Sequence, residues 1–307
     1  MERLTEPRDG SVVVGPVTVV VPTRDRPDQL RDCLAAVRAA VSEADEVVVV
    51  DSASRAPAEV ARVATSFGAT LLRLEEPGAS RARNAGWRAA RHDVVVFTDD
   101  DCVPQAGWTR AFAERFAKAP DLTVLWGPAT VAVEGTGTTD VPADGPTHAV
   151  HGDDIGPLGA SCNLAVRRTA LLTVGGFDEL LGAGVPLRAA EDKDLLLRLL
   201  AAGGVAALES GAVVQHEVWR SRSAAVRLNH HYGIGQGALF AKARRLGLDP
   251  HQSFPDGLLR TPLRQAGQAL LAGYETGVLT SAARAAGVMR GRWKARRLSV
   301  VDGHLSA

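Results

Sequence analysis

At 307 residues, with 46% apolar and 23% charged residues, the chain has the makeup of an ordinary soluble globular protein, with room for one large domain or a main domain plus a smaller appendage. Lys plus Arg and Asp plus Glu balance at 35 each, so bulk charge gives no reason to expect a polyanionic partner such as duplex nucleic acid. Cys33, Cys102 and Cys162 lack CxxC spacing and a nearby His pair, which excludes a disulfide framework and a zinc site and fits a reducing, cytoplasmic setting.

The chain starts with a polar "MERLTEPRDG", and no apolar run reaches the length of a membrane span, so neither a signal peptide nor a transmembrane helix is expected. Short β-branched runs then alternate with helical patterns, the signature of an α/β fold with a mainly parallel sheet. Strands are predicted at 17–21, 46–50, 69–74 and 93–97, as near-continuous apolar runs that suit strands covered on both faces. Between the first two, Leu30, Cys33, Leu34, Val37 and Val41 share one face of a helix that Pro27 opens. A second helix over 57–67 aligns Val60, Val63, Ala64 and Phe67, and a third stacks Trp108, Phe112 and Phe116. The Gly-, Pro- and Thr-rich stretch 134–160 reads as a long loop beside a site or as a plain surface insertion. A helix "EDKDLLLRLLAAG" and a strand-like "VAALESGAVVQHE" follow, and beyond about 220 the chain reads as Ala- and Arg-rich helix over 222–246 and 262–298, without strand signal.

Chemistry concentrates where the predicted strand "DVVVF" runs into Asp99, Asp100 and Asp101. If the extended chain continues, Asp99 and Asp101 point one way and Asp100 the other. Two neighbouring carboxylates repel by about 1 kcal/mol in water and more at lower dielectric, which a hard divalent cation would relieve. A solvated acidic turn is the bland reading. "PTRDR" ends the first strand and Asp51 the second, while "PGASRARNAG" brings Arg81 and Arg83 to the start of a helix, as a cradle for an anionic group. All lie at the carboxyl edge of one sheet, where open α/β folds bind ligands. Downstream, Asp192 falls in line with Leu195, Leu196 and Leu199 on a helix, either as a helix-start acid or as a carboxylate able to accept a proton. His216 ends an apolar strand, as a packed histidine or a metal ligand.

The ordered set "VVVPTRDRPDQL", "VVVVDSAS", "GASRARNAG", "FTDDDC", "GASCNLAVRR", "GGFDE" and "AEDKDLLLRL" resembles family 2 glycosyltransferases of the GT-A fold over about residues 15–220. The resemblance implies a Rossmann-like mixed sheet flanked by helices. It implies a catalytic domain over 1–221, with a nucleotide-sugar half at about 15–130 and an acceptor half at about 155–220, followed by a C-terminal helical region over 222–307. It assigns Pro22, Thr23, Arg24, Asp51, Arg83 and Asp99 to the nucleotide and donor, and Asp101, Asp99 and His216 to a divalent cation, Mn2+ or Mg2+. It assigns Asp192 to the catalytic base, and Cys162, Asn163 and Glu191 to the sugar pocket.

The implied activity is transfer of one sugar from a nucleoside-diphosphate donor, UDP-sugar by preference, to an acceptor hydroxyl with inversion. The acceptor is a glycan, a lipid-linked intermediate or a small molecule. Processive members carry a QxxRW signature and membrane helices, and "VWRSRS" is not that signature. A nucleotidyltransferase would need a glycine-rich loop where "PTRDRPDQL" stands, and an inactive nucleotide-sugar-binding protein would have little use for three retained acids. Cys102 reads as a packing residue, since thiolates prefer softer metals. "RGRWKARR" suits an anionic membrane surface at the inner face of the membrane, a helical cap or a dimer contact, and "GIGQG" follows no strand and is a poor nucleotide fingerprint.

Overall fold

The computed structural model describes residues 14–132, 160–217, 222–248, 259–272 and 274–306, so the predicted loop at 134–160 lies, but for its last residue, outside the described residues. In chain order the elements are β1 (Val17–Thr23), α1 (Pro27–Ala40), β2 (Glu46–Ser52), α2 (Pro57–Ser66), β3 (Thr70–Leu74), α3 (Ala79–Ala89), β4 (Val94–Thr98), β5 (Cys102–Pro104) and α4 (Trp108–Lys118). There follow β6 (Leu122–Trp126), β7 (Ala129–Ala132), β8 (Asn163–Arg167), α5 (Arg168–Val174), α6 (Glu191–Ala201), β9 (Val205–Leu208) and β10 (Val214–Glu217). The C-terminal part holds α7 (Arg222–Arg245), α8 (Arg260–Leu271), α9 (Glu275–Ala295), β11 (Ser299–Val301) and β12 (His304–Ser306).

Seven strands form one mixed sheet in the order β3-β2-β1-β4-β8-β6-β9. β1 pairs parallel with β2 and β4, whereas β8 runs antiparallel to β4 and β6. The valine runs follow from this cover on both faces. Val19, Val21, Val47 and Val49 turn toward α1, α2 and α4, while Val20, Val48 and Val50 turn toward α3 and α6. β3 is the exception: it is an edge strand and its side chains are only part-buried.

A second sheet of three short strands, β5-β10-β7, stands at the carboxyl end of β4. Its register sets His216 opposite Cys102.

The sequence gives no strand signal after 220, yet β11 and β12 form a hairpin there, and the predicted helix over 262–298 is broken into α8 and α9. The break falls at 272–274, where the sequence has a glycine, a poor helix former. Leu239 and Ala243 of α7 pack in the same core as Leu195 and Leu199 of α6. No helix among the described residues is long and apolar enough to cross a membrane.

"GIGQG" also has a structural reason. A Cβ on Gly237 would collide with the Val288 carbonyl of α9, and one on Gly235 with the Ala189 carbonyl in the loop that enters α6. These glycines let α7 lie directly on both. Gly237→Ala is therefore expected to destabilise the fold by about 1–3 kcal/mol through overpacking, measured by denaturant unfolding.

Candidate active site

β4 ends at Thr98, and the chain turns at once: Cys102 N donates to Asp99 O at 3.1 Å. The expected strand alternation of the acids therefore does not apply. Asp100 and Asp101 turn inward together, both within reach of the Arg26 guanidinium at 3.0 and 3.2 Å, and Asp99 turns away to Arg83. Asp100 has no expected role in the sequence, but it is 5% exposed and accepts the Thr23 hydroxyl at 2.8 Å. Burial pushes its carboxyl up to about 6, with Arg26 and Thr23 opposing that rise. Below the turn, Cys33 donates its thiol to Asp99 O at 3.4 Å. Burial, with Asp100 nearby, raises that thiol well above its ordinary value.

Arg83 is the hub of the acidic rim. It is 3% exposed, and its terminal nitrogens donate to Asp99 at 2.6 Å and to Glu191 at 3.1 Å. Burial alone would lower its pKa, but Asp99 and Glu191 outweigh that and hold it above the ordinary value. The sequence resemblance assigns Arg83 to the nucleotide; the structure engages it with two carboxylates, so that it ties the turn after β4 to the start of α6. Arg81, expected with Arg83 in an anion cradle, pairs with Glu76 at 2.7 Å and Glu179 at 3.4 Å.

Helix α6 begins abruptly. Ala190, its N-cap, lies at φ 73°, a left-handed conformation unfavourable for a residue with a Cβ. Glu191, Asp192 and Asp194 crowd the first turn, where the helix dipole favours negative charge. Burial, reinforced by Asp192, raises the Glu191 carboxyl to about 7 against the pull of Arg83. Asp192 is half-buried, and one of its oxygens accepts the Lys193 N–H at 2.7 Å. The acid buried deepest in this turn is Asp194, not Asp192.

Beside the second sheet, Asp101 Oδ1 lies 3.5 Å from His216 Nε2, and the atoms of Asp101, Cys102 and His216 that could hold a metal all fall within 4.8 Å of one another. The carboxylate and imidazole fit a divalent ion, and an oxygen-plus-nitrogen pair suits Mn2+ better than Mg2+, which prefers oxygen alone. Cys102 does not join them readily: its thiol is hydrogen-bonded with Cys162 and buried, both of which raise its pKa. Asp99 was expected beside the metal as well, but one of its oxygens is held by Arg83.

At the ends of β1 and β2, the register sets Thr23 beside Asp51. Pro22 is buried within β1, and Arg24 is largely exposed, 3.9 Å from Asp25. Asp51 accepts the Ser54 N–H at 2.9 Å and the Arg73 guanidinium at 2.6 Å. The resemblance assigns Cys162 and Asn163 to the sugar pocket, and both side chains are buried here. Asn163 accepts the Trp108 indole N–H at 2.8 Å and donates to Pro128 O and Ala212 O at 2.8 and 2.7 Å. Its amide braces the carboxyl ends of the sheet, and Cys162 packs on Cys102.

One cluster escapes the sequence reading. Lys242 of α7 is fully buried between Asp178 at 2.7 Å and Asp194 at 2.5 Å. Arg198 holds Asp194 at 2.7 Å and donates to Val174 O and Gly176 O, and the Leu305 N–H of β12 donates to Asp178 at 2.8 Å. Burial alone would raise Asp194, but Arg198 and Lys242 hold it below the ordinary carboxylate range. The available signal is the helical spacing of Ala238, Leu239, Lys242 and Ala243, which puts the lysine on an apolar face.

The sequence model of glycosyl transferase family 2 matches residues 18–169, from β1 into α5. Two relatives from Mycobacterium tuberculosis strains, both described as pre-mycofactocin glycosyltransferase, are 30% identical over 224 residues, 66% of this chain and 42% of theirs. The chain thus spans less than half the length of these curated relatives. Mannosyltransferase PcManGT from Pyrobaculum calidifontis, solved in complex with GDP-Man and Mn2+, has the same fold with a TM-score of 0.62 and 21% identity, over 94% of this chain and 91% of that one. GalNAc-T7, solved with UDP, GalNAc and Mn2+, matches with a TM-score of 0.54 and 14% identity over 75% of this chain and 51% of that one. With six of the seven strands of the GT-A sheet and the acidic turn inside it, the matched segment, residues 18–169, belongs to glycosyl transferase family 2.

Proposed function

We propose that the chain transfers one sugar from a nucleoside-diphosphate sugar to an acceptor hydroxyl, with inversion at the anomeric carbon and Asp192 as general base. The observation that carries this reading is the Arg83 bridge, which holds Asp99 of the acidic turn and Glu191 of the base helix on one guanidinium. It brings a donor-side and an acceptor-side carboxylate to one rim of the sheet.

In this reading Asp192 takes the proton of the acceptor hydroxyl as its oxygen attacks the anomeric carbon. The bond from that carbon to the diphosphate oxygen breaks, and its electron pair leaves with the diphosphate. Asp101 and His216 would hold a divalent ion, which when bound would supply charge neutralisation for that leaving group. Arg26 holds Asp100 and Asp101 inward, so the ligand carboxylate is pre-oriented. Asp51 and Thr23 border the nucleotide, with Arg73 fixing Asp51 from below. A UDP-sugar remains the first donor to try, supported by the UDP in GalNAc-T7, and GDP-mannose is the second, supported by the PcManGT complex.

Asp101→Ala is expected to weaken nucleoside-diphosphate affinity in Mn2+ by at least about tenfold, and to leave the metal-free affinity nearly unchanged. Titration calorimetry with and without Mn2+ reads both. Equal affinities for wild type and variant in Mn2+ would remove Asp101 from the metal site.

A further inference from the structure

Helix α9 is apolar on the side turned away from the protein. The face turned inward is mostly small residues, with Ser281, Gly287, Gly291 and Ala295 buried beside Val288, while Leu279, Met289 and Trp293 are 59%, 66% and 51% exposed. At 100° per residue these three fall within about a third of the helix circumference. A surface helix in a soluble protein ordinarily turns its large apolar side chains inward, so this stripe is made to be covered.

Charge identifies what covers it. The exposed Arg290, Arg296 and Arg297 border the stripe at its C-terminal end, and Arg297 stacks on Trp293 at 4.2 Å. Between 259 and 298 there are eight Lys and Arg residues against one acid, Glu275. From 222 onward the chain holds 13 of its 35 bases and four of its 35 acids, so the overall neutrality conceals a cationic C-terminal region. A second copy of this face would meet like charge. An apolar stripe with an indole, rimmed by guanidinium groups, matches the boundary between acyl chains and anionic headgroups.

We infer that α9 is a peripheral docking helix for an anionic lipid surface, with Met289 and Trp293 entering the acyl boundary and Arg290, Arg296 and Arg297 pairing with headgroup phosphates. This goes beyond the transfer reading and does not depend on it.

The test is co-sedimentation of the full chain with vesicles of equimolar phosphatidylglycerol and phosphatidylcholine, and with phosphatidylcholine alone. Binding is expected to the anionic vesicles, weakening with salt. Met289→Glu with Trp293→Glu should lower partitioning by at least about tenfold, since two apolar anchors are lost. Neutralising Arg290, Arg296 and Arg297 to Gln should lower it roughly a hundredfold. All five side chains are exposed, so both variants should melt like wild type. Equal, weak sedimentation with both vesicle types would overturn the inference. So would light scattering that shows a dimer which Trp293→Glu dissociates, since the stripe would then be covered by a second copy.

Discussion

Asp192→Asn is expected to lower the rate of sugar transfer by about a thousandfold, while nucleotide binding in Mn2+ stays within about twofold of wild type. The substitution is isosteric, and the Asn carbonyl can still accept the Lys193 N–H that Asp192 now accepts. What the proposed mechanism would lose is the capacity to take a proton from the acceptor hydroxyl at the moment of attack. Asp194 gives the contrast. Two residues along the same helix, it faces Lys242 and Arg198 in the interior, so its removal should appear in stability rather than in proton transfer. Single-turnover kinetics paired with calorimetry separate these effects. A normal rate for Asp192→Asn would assign the base elsewhere.

Lys242→Met is expected to destabilise the protein by about 3–5 kcal/mol, and to lower the melting temperature by on the order of 10 °C. The loss is large because the ammonium is fully buried: without it the buried Asp178 carboxyl loses its ion-pair partner. Asp194 fares better, since Arg198 remains. The double variant Lys242→Met with Asp178→Asn should recover part of the stability: it removes the unpaired acid, although the single Asn carbonyl oxygen can accept only one of the Leu180 and Leu305 N–H groups, which now bond to different carboxylate oxygens. Differential scanning calorimetry of wild type, single and double variants reads this cycle. A single variant that melts like wild type would mean that the interior tolerates the unpaired acid, and the ion pair would then hold nothing together.

The same cluster sets a pH dependence. The folded pKa of Asp194 lies below its unfolded value, so its contribution is fully present above the ordinary Asp range, and is lost as pH falls through the lowered folded value. In an acid titration of stability, wild type and Asp194→Asn should differ by a constant amount above about pH 4, and the gap should close as pH falls below it.

Much of the sheet was legible because its strands are covered on both faces. Runs such as Val47 to Val50 have no polar alternation to confuse them, and the turn residues at their ends mark the rim. The acidic turn was legible as chemistry but not as geometry. Strand alternation paired Asp99 with Asp101, whereas the chain leaves the strand at Thr98 and pairs Asp100 with Asp101 on Arg26. Local periodicity cannot report where a strand stops. Arg83 was named, but its partners lie 16 and 108 residues away, so no spacing could show that it bridges two carboxylates. Lys242 is the hardest case: a lysine in an Ala- and Arg-rich helix reads as solvated, and only tertiary packing brings it to Asp178 and Asp194. The β11–β12 hairpin escaped because three-residue strands carry too little pattern to register.

The central claim, a metal-dependent donor site at the acidic turn, is tested most directly by thermal shift. Wild type and Asp101→Ala would be compared with UDP, GDP and their hexose conjugates, each with Mn2+ and with chelator. The account predicts that at least one nucleotide raises the melting temperature of wild type in Mn2+, and that both chelator and Asp101→Ala abolish the rise. A panel in which no nucleotide gives a Mn2+-dependent shift, or in which Asp101→Ala shifts as much as wild type, would contradict it.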